Sequence, residues 1–188
     1  MDKLSLINAA LMKCGLPLAA SLQDADWGAS DRFAAVADTL LRAHAWNVAT
    51  KDAALTKQGA PAHGWLAAYR LPTDCLRVLD VRPTQDLRGP QARFAVAGSA
   101  LYCNCSPCNA RYVARVADPG SWPADFADAV ATRLAAEIAP LSAQSFGLGA
   151  SLLQLAQLAF QQAQAADAAE QRDRLPTGSP YVAARGGV

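Results

Sequence analysis

The stretch from Gly59 to Asp118 is punctured by Pro61, Gly64, Pro72, Pro83, Gly89, Pro90, Gly98 and Pro107. Proline removes a backbone donor and glycine weakens any regular element, so only short runs survive between these breaks. The runs Leu66 to Leu71, Cys75 to Val81, Arg93 to Ala97, Ala100 to Cys103 and Arg111 to Val116 read as strands. The last alternates, with Tyr112, Ala114 and Val116 on one face and Arg111, Val113 and Arg115 on the other. Gly98-Ser99 spaces two runs as a two-residue hairpin, its glycine suited to the positive φ of a type II′ turn. The segment predicts a small antiparallel sheet.

On either side the pattern is helical. Leu4, Ile7, Leu11 and Cys14 recur at helical spacing, and Gly15-Leu16-Pro17 stops that helix. A second helix, Ser30 to His44, has Asp24 and Asp26 near its start and Phe33, Val36, Ala37, Leu40 and Leu41 on its apolar face; Trp46 follows. The two helices form a hairpin. After the turn Asp118-Pro119-Gly120, Ser121 is placed to cap a third helix whose dipole Asp125 and Asp128 complement. Phe126, Val130, Leu134 and Ile138 repeat every four residues, and Pro140 closes it. A last helix runs from about Gly149 to Arg172. Its expected buried stripe is Leu152, Leu155, Leu158 and Ala159, with Gln154, Gln157, Gln161, Gln162 and Gln164 around the rest. Beyond Leu175, Pro176, Gly178, Pro180, Gly186 and Gly187 make a flexible tail with one aromatic anchor, Tyr181.

The fold class expected is α+β: an antiparallel helical core with an inserted small antiparallel β-sheet module and an extended C-terminal tail. Residues 1–58 form a helical hairpin of the core, 59–118 the β-rich insertion, 119–174 two further core helices, and 175–188 the tail.

Hydrophobic residues make up 52% of the 188, but many are alanine and aromatics are only 7%, so the core should be thin and helix-dominated. Charged residues are 18%, which leaves alanine-rich surface to bury against neighbours. The net charge of +1 creates no global pull toward nucleic acid or an acidic membrane. Arginines 70, 77, 82, 88, 93, 111 and 115 do gather against Asp74, Asp80 and Asp86. They read as a basic surface for an acidic partner or passing DNA, or as an ordinary solvated sheet face. Neither a signal peptide nor a membrane-length apolar run is visible, and membrane anchoring is not expected. The chain should be made and used in the cytoplasm, or exported within a larger particle.

No catalytic constellation emerges, and no catalytic or cofactor-binding residue is assigned. His44, at the end of the second helix, reads as a partner of the C-terminal dipole, and His63 lies in a Pro-Ala-His-Gly turn. Gly147-Leu148-Gly149 reads as a loop before a helix, without the lysine or preceding strand of a phosphate loop. Five cysteines, an odd number, argue against a secreted disulfide framework. Three of them form Cys103-Asn-Cys105-Ser-Pro-Cys108. Such a run can hold a soft metal with a fourth ligand from Cys75, His63 or a neighbouring subunit. It also fits an oxidised pair, or inert thiols at an exposed hairpin tip. Spacing alone assigns no metal ligand, and a metal-binding regulatory module built on Cys103, Cys105 and Cys108 stays as an alternative.

Several phrases resemble the tail tubular protein A family of short-tailed phages. They are Leu4-Ser-Leu-Ile-Asn-Ala-Ala-Leu with Gly15, Leu41-Arg-Ala-His-Ala-Trp46-Asn-Val-Ala, and Trp65-Leu-Ala-Ala-Tyr69-Arg-Leu-Pro72-Thr-Asp-Cys75-Leu-Arg-Val. Arg111-Tyr-Val-Ala-Arg-Val-Ala-Asp118-Pro-Gly-Ser-Trp122 and the helix from Phe126 to Ile138 continue the series, which spans most of Leu4 to about Asp173. The resemblance implies a virion structural protein, a head-to-tail adaptor that forms a dodecameric ring between portal protein and tail nozzle. Genomic DNA would pass through the lumen without sequence readout, and the last helix's glutamines are candidates to line it. The cysteine run and the glycine-rich tail depart from the family pattern. A head completion or connector protein of a long-tailed phage or gene-transfer particle is a second structural alternative. Deleting residues 175–188 is expected to weaken portal docking.

Overall fold

The computed structural model describes residues 1–25, 28–61, 64–84, 90–142 and 146–170. The expected tail beyond Leu175 with Tyr181, and Asp26, His63, Asp86 and Arg88, lie outside the described residues.

Helix α1 spans Lys3–Lys13 and is capped by Asp2, whose Oδ1 accepts the Ser5 amide at 2.7 Å. Gly15, at φ +69°, turns the chain out of it. Helix α2 spans Ala29–Ala43. Its first-turn acid is Asp31; Asp24, expected near the start, instead accepts a hydrogen bond from the Ser21 hydroxyl at 2.7 Å. Helix α3, Ala124–Ile138, follows Pro123. Ser121 does not cap it: its hydroxyl donates to the Asp118 carbonyl at 2.8 Å within a 3₁₀ turn, Pro119–Ser121. Helix α4, Phe146–Glu170, packs along α3.

The strands are β1 (Thr50–Ala54), β2 (Ala67–Arg70), β3 (Cys75–Arg82), β4 (Phe94–Ala97), β5 (Ala100–Cys103) and β6 (Asn109–Ala114). They form two three-stranded antiparallel sheets rather than one, in the orders β1-β6-β3 and β2-β5-β4. Gly98 takes φ +59° between β4 and β5, as a tight hairpin requires. The chain is α+β, as its breaks and periodicities predict.

The first sheet lies between two cores. Val113, with Leu76 and Leu79 at its margin, packs toward the helices, while Val81, Ala110 and Val78 pack toward the second sheet. Apolar positions three apart, Leu76 and Leu79, share a core because irregular register between Cys75 and Asp80 resets the alternation. Tyr112 and Val113 are both buried, so β6 has no wet face at its centre. Helix α3 is the hub. Phe126, Val130, Leu134 and Ile138 are fully buried, and α1 and α2 each lean on α3 more than on each other.

The scarce aromatics concentrate in this helical core. Trp46 meets Phe126 and Phe160 edge-on at 4.7 and 5.7 Å, Trp122 meets Phe126 at 5.1 Å, and Phe33 stacks on Trp122 at 5.8 Å. Both indoles satisfy their N–H groups, Trp46 on the Leu40 carbonyl and Trp122 on that of Val116. These rings add to the aliphatic core of Leu6, Ile7, Leu11, Leu41, Leu134 and Ile138. Among the described residues, no helix is long and apolar enough to cross a membrane.

Candidate functional site

Three of the seven arginines are drawn into ion pairs. Arg111 makes a two-point pair with Asp52 on β1 at 2.7 and 2.8 Å, Arg115 reaches Asp38 on α2 at 2.6 Å, and Arg82 meets Asp80 at 2.6 Å. Two of these partners, Asp38 and Asp52, come from outside the β-rich segment, so sequence proximity could not reveal them. These three pairs favour the solvated-face reading.

His44 lies just past α2, and its ring does not serve the helix dipole. Its Nε2 is 3.3 Å from the Asp167 carboxylate of α4, and its ring meets Trp46 edge-on at 4.8 Å. Asp167 is only 5% exposed; its Oδ1 accepts the Asn47 amide and its carbonyl accepts the Asn47 side chain, each at 2.9 Å. A polar cleft of about 330 Å³ opens beside the pair, lined by His44, Asn47, Thr50, Asp52 and Arg111. The Thr50 hydroxyl already donates to the Trp46 carbonyl at 2.7 Å, so the residue nearest a nucleophile's place is engaged in the turn. Sequence reading missed Asp167. The available signal was its isolation: it is the only charge between Phe146 and Ala169.

Helix α4 buries only part of its expected stripe. Leu152 is buried, but Leu155 and Leu158 are 53% and 55% exposed. The buried positions are Gly149, Leu152, Ala156, Ala163 and Asp167. Gly147 and Gly149 are inside the helix, not in a loop before it. A Cβ on Gly149 would come within 2.9 Å of the Pro140 ring, so the missing side chain lets α4 cross the end of α3. Alanine at 156 and 163 serves the same close approach, while Leu155 and Leu158 face outward. Leu152, Leu155 and Leu158 line a groove of about 430 Å³ closed by Lys13, Asp128 and Thr132; Lys13 and Asp128 pair at 3.0 Å.

The three cysteines of the run converge. Cys103 Sγ lies 3.4 Å from Cys105 Sγ and 3.6 Å from Cys108 Sγ, and all three sulfurs fall within 4.8 Å of one another. The run is not an exposed hairpin tip. It crosses from β5 in the second sheet to β6 in the first, with Cys103 and Cys108 buried and Cys105 half-buried. Cys75 is not with them: it starts β3, opposite Ala114. His63, the other fourth-ligand candidate in the chain, lies outside the described residues. Burial pushes the Cys105 thiol up to about 11 and the Cys108 thiol upward too, so without a bound cation these are thiols, poor nucleophiles at neutral pH.

The backbone around the cluster is fixed by other residues. The Tyr69 hydroxyl donates to the Cys105 carbonyl at 2.7 Å, the Leu55 amide to the Cys108 carbonyl at 2.8 Å, and the Leu66 amide to the Asn104 side chain at 2.9 Å. Cys103 is paired on both sides, with Ala67 and Phe94. No model of a known protein family matches the chain, and no curated protein matches it significantly.

Proposed function

We propose that this chain is a structural docking subunit, a head-to-tail adaptor that closes into a ring between the portal and the tail nozzle of a phage particle. The observation that carries the reading is the outer side of α4: Leu152, Ala156 and Ala163 face the chain's own core while Leu155 and Leu158 are more than half exposed. Fully burying a leucine is worth about 1.5–3 kcal/mol, so the exposed halves of these two are a reserve of association energy that the isolated fold leaves unused. A ring needs a heterologous contact, in which this face meets a different surface of the next copy. The ordered sequence resemblance from Leu4 to about Asp173 supplies the particle and the partners: portal, nozzle-like protein and DNA in transit. A net charge of +1, with Arg82, Arg111 and Arg115 paired to aspartates, suits a lumen that DNA slides through without being gripped.

Light scattering and negative-stain imaging of the full chain, alone and mixed with portal, test the proposal. Rings of uniform size, or rings seeded by portal, are expected. A persistent monomer with no affinity for portal overturns it.

A further inference from the structure

We propose that Cys103, Cys105 and Cys108 form a three-thiolate site for a soft divalent cation, zinc, which staples the crossing between the two sheets. The geometry carries it. Zinc–thiolate bonds of about 2.3 Å in a tetrahedron place neighbouring sulfurs about 3.8 Å apart. The sulfurs here stand at 3.4 and 3.6 Å on the pairs that include Cys103, with the third pair inside 4.8 Å. Three sulfurs therefore already outline one face of the tetrahedron, and small rotations about Cα–Cβ suffice to complete it.

The site is also held before any ion arrives. Cys103 sits in the central strand of the second sheet, and the Cys105 and Cys108 carbonyls are engaged by Tyr69 and Leu55. Those anchors come from different places in the chain, so the sulfurs meet by fold rather than by local sequence. Two thiols are fully buried, and Cys105 marks the side open to solvent. Binding replaces three S–H bonds with three Zn–S bonds and releases three protons to water. A water molecule takes the fourth position. No electron is transferred, so no oxidant is required.

An oxidised pair explains the arrangement less well. A disulfide joins two sulfurs about 2.0 Å apart and leaves the third thiol without a role, whereas here Cys103 is close to both others. The ion would tie β5 to the start of β6 through a turn of few residues, reinforcing the apolar core of Val81, Leu101 and Ala110 that the two sheets share.

The test uses the full chain, expressed with added zinc and purified without chelator under a phosphine reductant. Elemental analysis should give about one zinc per chain, and cobalt(II) exchanged into the site should show an intense thiolate-to-metal charge-transfer band. Cys105→Ser, at the half-exposed position, should keep the circular dichroism of the fold while zinc affinity falls at least about 100-fold, since a direct ligand outweighs an outer-shell partner. Cys75→Ser should keep its zinc. Fewer than about 0.2 zinc per chain after loading overturns the site. So does zinc retention unaffected by Cys105→Ser, or isolation of a Cys103–Cys108 disulfide in protein handled without air.

Discussion

His44 Nε2 and the Asp167 carboxylate, 123 residues apart in the chain, meet at 3.3 Å and fasten the last turns of α4 to the loop that follows α2. The same carboxylate accepts the Asn47 amide, so one buried acid holds both a side chain and the backbone of that loop. Trp46 lies between these residues, with His44 edge-on to its ring on one side and Phe126 and Phe160 on others. The polar latch and the aromatic core thus fix each other. Asp167→Ala leaves the Asn47 amide without its acceptor and opens space beside Trp46, for a loss of about 2–4 kcal/mol. Asp167→Asn keeps a neutral acceptor and should lose roughly half as much. Urea denaturation followed by tryptophan fluorescence measures both; equal stability of all three proteins would show the latch to be idle.

Gly149 offers a second check on how α4 is seated. Alanine at a helix interior normally stabilises by about 1 kcal/mol over glycine. Here the added methyl carbon would lie 2.9 Å from Pro140 Cγ and 3.2 Å from Cδ, on a ring that cannot swing aside. Overpacking costs about 1–3 kcal/mol, so the strain wins. Gly149→Ala should lower stability by about 1 kcal/mol net, where propensity alone calls for a gain. Thermal unfolding decides the sign.

Acid and alkali should act through Asp74 and Tyr112. The Lys51 ammonium, 2.8 Å away, holds the Asp74 carboxyl below its ordinary 3.8. Asp74 therefore contributes stability above about pH 4 that is lost as the pH falls through its folded value. Burial, and then the Asp74 charge, push Tyr112 from 10.0 up to about 12. That contribution is whole below pH 10 and is lost as the pH rises toward 12. Asp74→Asn should flatten the acid limb and shorten the alkaline one, because the tyrosine loses its negative neighbour. Urea midpoints at intervals from pH 3 to pH 12 would show whether both limbs change together.

How much of this was legible in the sequence depends on what wrote each feature. Proline and glycine wrote the strand boundaries, so β2 to β6 and the Gly98 hairpin were found within a few residues. Helix α3 was legible because all four of its repeating apolar residues are buried. Strand β1 was not: Thr50-Lys-Asp-Ala-Ala has no apolar alternation, and it is a strand because it pairs with β6 at the edge of a sheet. The division into two sheets was equally hidden, since both are antiparallel and only long-range register separates them. The cysteine spacing permitted several readings; the crossing from β5 to β6 and the anchors from Tyr69 and Leu55 narrowed them. Periodicity misled in part on α4, where Leu152 of the expected stripe is buried but Leu155 and Leu158 are not.

The two exposed leucines make the most direct prediction. Leu155 and Leu158 are more than half exposed, so replacing both with aspartate should cost the isolated chain about 1 kcal/mol per site through helix propensity and partial burial, too little to unfold it. Assembly should respond very differently. If each leucine is fully buried against the next copy, losing both removes about 1.5–3 kcal/mol per contact, or one to two decades in affinity, before the cost of burying two carboxylates. The double variant should keep its circular dichroism and tryptophan fluorescence yet fail to form rings at concentrations where the parent chain does. Leu155→Met with Leu158→Met, which preserves apolar volume, should still assemble. Rings formed by the aspartate variant would mean that the exposed leucines of α4 are not the contact, and sedimentation velocity on the three proteins distinguishes these cases.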